Sequence, residues 1–160
     1  MEPVIRKAPY LPDWKSHFKS INLDWLERFF SVTPADMEQL SNPERILEKG
    51  GMILFVESGN QTVGTLALVP DEDGNWELAK MGVLPAFQGK GLGRMLINAA
   101  IDEAILYCKG TLYLETVQIL TPAIHLYESI GFERVGEPHT HPAFGRTVFR
   151  MQFPLHRRGR

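Results

Sequence analysis

Residues 81–100 read MGVLPAFQGKGLGRMLINAA, and this stretch constrains the fold more than any other. It opens as the end of an apolar strand, passes three glycines alternating with Lys90 and Leu92, and closes in helical periodicity. A glycine-rich corner between a strand and a helix collects backbone N–H groups at a helix N-terminus, where unpaired donors and the helix dipole favour an anion. Spacing separates the sites such a corner can build. A P-loop needs glycine five positions before Gly89-Lys90, where this chain has Leu84. A dinucleotide fingerprint starting at Gly89 needs glycine at position 94, where it has Arg94. What remains is Gln88-x-x-Gly91-x-Gly93. Gly91 and Gly93 remove Cβ where backbone approaches a ligand. The amides from Gln88 through Gly89, Lys90, Gly91, Leu92 and Gly93 to Arg94 are expected to face one site, with Lys90 and Arg94 adding charge. On spacing alone, a glycine-rich turn with no ligand stays open.

The surrounding pattern is that of a mixed α/β sheet. Val4 and Ile5 begin a short strand, and Trp14, Phe18, Ile21, Trp25 and Phe29 follow one helical face, with an interruption expected near Asn22. TPAD (33–36) supplies Thr33 as N-cap, Pro34 at the first helical position and Asp36 as capping-box partner. Another helix starts at Pro43 and stops at Gly50 and Gly51. Runs at 52–56, 61–69 and 75–84, separated by ESGN and DEDG, form an antiparallel meander. After the corner, Ile97, Ala100, Ile101, Ala104, Ile105 and Cys108 make the apolar stripe of a helix. A strand at 111–117 precedes a helix capped by Thr121, with core positions Ala123, Leu126, Tyr127 and Ile130. FERV and RTVFRMQF close the chain as strands around a loop over 136–147.

With 160 residues, no repeat and no linker, the sequence is expected to form a single domain over 1–160, with a flexible tail at 155–160. A net charge of −2 provides no positive field to gather nucleic acid or a membrane surface. One cysteine, no apolar run of membrane-spanning length and no signal-peptide pattern point to a cytoplasmic protein.

The corner in its context, KMGVLPAFQGKGLGRMLINAAIDEA, resembles the signature of the GNAT superfamily of acyl-CoA-dependent N-acyltransferases. AIHLYESIGFERVG resembles that family's next segment, a helix bearing Tyr followed by Gly-Phe. The resemblance covers residues from about 50 to 153; residues 1–50 match only as a strand followed by helices. It implies a mixed, mostly antiparallel sheet with splayed central strands flanked by helices. It also implies acetyl-CoA as acyl donor, its pyrophosphate on the amides of Gln88 to Arg94 and its pantetheine along Met81, Gly82 and Val83. The strands at 76–84 and 111–117 would splay to admit the thioester, with Gly82 marking the bulge that permits it. Many relatives carry Asn three residues before the position of Ala123; this chain has Leu120, so Thr121 or backbone would take over that hydrogen bond.

The reaction so implied is direct attack of a primary amine on the thioester, with no metal and no acyl-enzyme. A lysine-type amine near pKa 10.4 costs about 4.6 kcal/mol to deprotonate at pH 7, so a base matters. Glu77, eleven residues before Gln88, stands at the family's base position, and burial would raise its pKa into a useful range. Tyr127 stands at the position of the family's acid, pointing at the leaving sulfur; read from its helix stripe, it is core. Glu115 faces the gap or solvent. His139 and His141 have no tight acidic partner in sequence and fit a surface loop, and His125 faces solvent. Trp14, Trp25, Phe29 and Phe30 read as core, with one or two lining the acceptor site. Cys108 lies on the buried stripe and is no nucleophile. The acceptor is a small-molecule amine or peptide of unassigned identity, and exposed edge strands leave a homodimer open. Two other readings use the same corner: a non-catalytic acyl-CoA-binding sensor, and a nucleotide-phosphate binder.

Overall fold

A computed structural model describes residues 2–155 of the chain. Seven strands form one sheet in the order β1-β2-β3-β4-β5-β7-β6. They are β1 (Val4–Lys7), β2 (Met52–Ser58), β3 (Gln61–Pro70), β4 (Trp76–Val83), β5 (Leu112–Thr116), β6 (Glu133–Thr140) and β7 (Thr147–Phe153). The helices are α1 (Trp14–Phe29), α2 (Pro34–Ser41), α3 (Glu44–Glu48), α4 (Leu92–Tyr107) and α5 (Thr121–Ile130). Every strand pairing is antiparallel except β4 with β5.

Alternation along the strands builds a core on each face of the sheet. On one face Leu54, Leu66, Leu68, Leu78 and Leu112 pack with Leu96, Ile97, Ala100, Ile101 and Ala104 of α4 and with Ile124 of α5. On the other, Ile53, Phe55 and Ala67 pack with Phe18 and Leu26 of α1 and Leu40 of α2. Leu155 joins the first core at 8% exposure, against the expectation of a flexible tail at that residue; positions 156–160 lie outside the described residues.

Several local expectations need correction. α1 runs unbroken through Asn22, because that buried amide is satisfied within the helix: Nδ2 donates to the Phe18 carbonyl at 2.9 Å and Oδ1 accepts from Trp25 Nε1 at 3.0 Å. Phe29 turns outward at 46% exposure. α5 starts at Thr121, so Thr121 is not its cap; Leu120 precedes the helix and supplies no side-chain hydrogen bond. Ile124 is the buried anchor of that helix, and of the expected stripe Leu126, Tyr127 and Ile130 pack partly buried against the same core. Cys108 lies just past α4, its thiol against the carbonyls of Gly74 and Thr111. Half of the expected 136–147 loop is strand, with β6 continuing to Thr140 and pairing His139 with Val148. The capping box at α2 forms as expected: Asp36 N–H donates to Thr33 Oγ1 and Thr33 N–H donates to Asp36 Oδ2. No helix among the described residues is long and apolar enough to cross a membrane.

Candidate acyl-transfer site

The central parallel pair is the key to the site. β4 and β5 pair only at Trp76–Leu112 and Glu77–Tyr113. Beyond Glu77 the strands part, leaving the β5-facing side of β4 without a strand partner. The bulge that accompanies this parting lies upstream of Gly82: Thr65 opposes Gly82 but Ala67 opposes Ala79, so the extra β4 residue falls at Lys80–Met81. Lys80 has φ +55°, the left-handed geometry of a bulge. Gly82 serves packing instead. A Cβ there would lie 2.7 Å from Trp25 Cδ1, so its absence lets α1 close on the sheet.

From Val83 the chain makes a single 3₁₀ turn at Pro85–Phe87 and enters the glycine corner. The Gln88 side-chain amide donates to the Val83 carbonyl at 2.9 Å, bracing the corner against the strand end. Gly89 and Gly91 have φ of +76° and +80°, and a Cβ on either would meet nothing within 4 Å; their requirement is conformational. Gly93 differs. It lies inside α4, where a Cβ would be 3.2 Å from Leu126 and 3.3 Å from Met81. The Gln88 N–H is spent on the Pro85 carbonyl, which removes it from the expected anion cradle. The N–H groups from Gly89 to Arg94 make no hydrogen bond among the described residues. Six donors in sequence at the start of a 16-residue helix are therefore available to an anion. Lys90 lies over the Phe87 ring, and Arg94 donates to Ser129 Oγ at 2.8 Å, tying α4 to α5.

The gap between β4 and β5 and the corner open into one cavity of about 730 Å³. Glu77, Met81, Gly82, Val83, Gly91 and Tyr127 all line it. Lys90 and Thr121 do not, whereas Leu120 does. Burial, reinforced by the neighbouring Glu115 carboxylate, pushes Glu77 up to about 7 despite opposing charge on Lys80 and Arg150. Burial pushes the Tyr127 phenol up to about 12, and its ring packs edge-on to Phe132. A carboxyl half-ionised near neutrality and a phenol that stays protonated thus share one cleft.

Sequence reasoning missed most of the other polar wall. Arg146 makes a bidentate pair with Asp36, Nη1 to Oδ1 at 3.0 Å and Nη2 to Oδ2 at 2.6 Å, and also donates to the Ser31 carbonyl. Burial raises the Asp36 carboxyl, but hydrogen bonds from Arg146 and Thr33 outweigh it and leave the group below its ordinary value. This pair straps the β6–β7 turn onto α2. The turn closes through His141 N–H to the Arg146 carbonyl at 2.7 Å, and His141 stacks on Phe144 at 4.6 Å. Glu115 has a tight partner after all, His139 Nε2 at 2.6 Å from Oε2. His139 and His141 gather no cluster of three or more metal-ligating side chains among the described residues. His125 is exposed, as its spacing predicts. Nothing local in sequence links Asp36 to Arg146, 110 positions apart.

Comparison with known proteins agrees with this geometry. The model of the acetyltransferase (GNAT) family matches residues 15–132. An uncharacterized N-acetyltransferase of Escherichia coli, YjgM, is 40% identical over 91 residues, which are 55% of this chain and 54% of that protein. N-acetylaspartate synthetase of Danio rerio is 39% identical over 88 residues, 54% of this chain and 31% of that protein. The chain thus spans about a third to a half of these curated relatives. A GNAT-family acetyltransferase of Staphylococcus aureus Mu50 superposes with TM-score 0.77 at 20% identity, covering 94% of this chain and 100% of that one. A putative acetyltransferase of Salmonella typhimurium, solved with its cofactor acetyl-CoA, superposes with TM-score 0.74 at 24% identity, covering 97% and 95%. The corner, the parted strands and the family match converge, and the chain belongs to the acetyltransferase (GNAT) family.

Proposed function

We propose that the protein transfers an acetyl group from acetyl-CoA to a primary amine by direct attack. The observation that carries this reading is the run of six unspent N–H groups from Gly89 to Arg94 opening on the cavity that also holds Glu77 and Tyr127. The pyrophosphate of acetyl-CoA fits those donors. Its pantetheine fits the partnerless side of β4 along Met81 to Val83, where an added strand would find open backbone.

Glu77 then takes a proton from the acceptor ammonium, and the freed amine attacks the acetyl carbonyl. A new C–N bond forms, the C–S bond breaks, and the electron pair leaves with sulfur. Tyr127, with its phenol at about 12, lies above a thiol's ~8.5. It therefore holds its proton and stabilises the departing thiolate by donating a hydrogen bond. Glu77 passes that proton to solvent and then takes the second proton from the attacking nitrogen, so that a neutral amide is released with the thiolate. Glu77 near 7 is well matched to this work, because a base is most effective with a pKa close to the operating pH.

The test is thiol release from acetyl-CoA over a panel of primary amines between pH 6 and 9. The wild-type kcat/KM should rise through pH 7, and Glu77→Gln should lose that limb with a ~10²–10⁴-fold drop. Acetyl-CoA binding without turnover on any amine would favour a sensor, and absence of acetyl-CoA binding would overturn the reading altogether.

A further inference from the structure

One cation lining the cavity forms no ion pair within 4.0 Å among the described residues. Among the cavity-lining cations of the described residues, Arg28 is held by Asp24 at 3.3 Å and Arg146 by Asp36 at 2.6 Å. Arg94 stands at the glycine corner and bonds Ser129. Lys80 is different: no carboxylate oxygen comes within 4.0 Å of its Nζ, which instead rests over the Phe144 ring at 4.6 Å. An aromatic face holds an ammonium in place without neutralising it. The backbone at Lys80 is in the left-handed region, which glycine would adopt without strain. A lysine there spends conformational energy to present its side chain at this point.

The charges around it are arranged as a dipole. Glu77 supplies a carboxylate from β4, Glu115 of β5 is engaged by His139 Nε2 at 2.6 Å, and Lys80 supplies a cation from the bulge. Asp36 is consumed by Arg146 and Thr33. Phe144 is itself fixed by the stacked His141 ring. Burial drives the Lys80 ammonium toward its neutral form against the attraction of Asp36 and Glu77, and an arriving carboxylate would reverse that tendency.

We propose that the acceptor is a free amino acid, its carboxylate paired with Lys80 while its amine faces Glu77. This rests on the transferase reading above and names its substrate class. A zwitterion matches both groups, whereas a simple amine leaves the half-buried Lys80 with no carboxylate in contact.

The test pairs each of several amino acids with its primary amide and its decarboxylated amine, with rates expressed per free amine. Acetyl-CoA-dependent thiol release is followed for wild type, Lys80→Asn and Lys80→Arg. Asn tolerates the left-handed backbone and removes the charge; Arg retains the charge. In wild type the acid should exceed the amide by about 10- to 100-fold in kcat/KM, the size of a charge-assisted contact, chiefly through KM. Lys80→Asn should bring that ratio toward one, and Lys80→Arg should keep most of it. Equal wild-type rates on acid and amide overturn the proposal while leaving the transferase intact. So does a preference for the acid that survives undiminished in Lys80→Asn, or a peptide N-terminus acetylated faster than the free amino acid. Silence with every acceptor overturns the transferase reading and this one together.

Discussion

Glu77→Gln should do two opposite things: remove activity and raise stability. In the folded protein Glu77 titrates at about 7, against an ordinary value of 4.5, because burial and the Glu115 carboxylate disfavour its charge. As pH rises from the ordinary value toward 7, the unfolded chain has already lost this proton while the folded chain still holds it. The folded state binds more protons, so stability falls with rising pH across that window and levels off above it. The gap between 4.5 and about 7 corresponds to ~3 kcal/mol at about 1.36 kcal/mol per pKa unit. Glutamine has nearly the same shape and no charge, so the variant escapes this loss. The two proteins should have similar stability near pH 4.5, and the variant should be more stable by up to ~3 kcal/mol at pH 8. For a domain of this length that is a rise in Tm of roughly 6–12 °C. Urea unfolding of both proteins at pH 4.5, 6 and 8, with equal m-values, is the assay. Parallel stability profiles across that range would refute the placement of an ionisable, desolvated carboxylate in the cleft, and with it the case for Glu77 as a tuned base.

Arg146→Ala should destabilise the fold by ~2–3 kcal/mol, because it strands Asp36, which is 2% exposed, with only Thr33 as partner. The wild-type contribution should be present above the ordinary aspartate value of 3.8 and vanish as pH falls through the lowered native value, so acid unfolding of the two proteins should converge at low pH. Gly82→Ala should cost about 1–3 kcal/mol through overpacking, since its Cβ would lie 2.7 Å from Trp25 Cδ1. Adding Trp25→Leu should recover part of that loss in a double-mutant cycle read by urea midpoints.

Local chemistry was readable directly from the chain. The glycine-rich corner between strand and helix follows from the run of glycines after Gln88, and the α2 capping box follows from Thr33, Pro34 and Asp36 standing in register. Strand and helix periods located nearly every element, while Glu77 became a candidate base only through the family resemblance, by its offset from the corner. Where sequence reasoning erred, a tertiary contact decided the outcome. Gly82 lacks a Cβ because Trp25 comes from α1 to fill that space, while the bulge itself falls at Lys80–Met81. Asn22 stays helical because Trp25 and the Phe18 carbonyl satisfy its amide in the interior.

The same division holds for the site. Glycine spacing marks a corner with open helix-end donors because φ preferences and helix termini are properties of a few consecutive residues. The polar wall of the cavity is assembled from four distant segments: Asp36 on α2, Lys80 on the β4 bulge, Glu115 on β5, and His141, Phe144 and Arg146 around the β6–β7 turn. The sequence by itself determined the alternating pattern, the corner and the family resemblance, since each depends on residues close in the chain. Only the tertiary structure decided that Glu77 is desolvated beside Glu115, that Asp36 is spent on Arg146, and that Lys80 rests on the Phe144 ring with no carboxylate in contact. Desolvation and charge pairing depend on distances through space, which residues far apart in sequence acquire only when the sheet parts and its loops close over the gap.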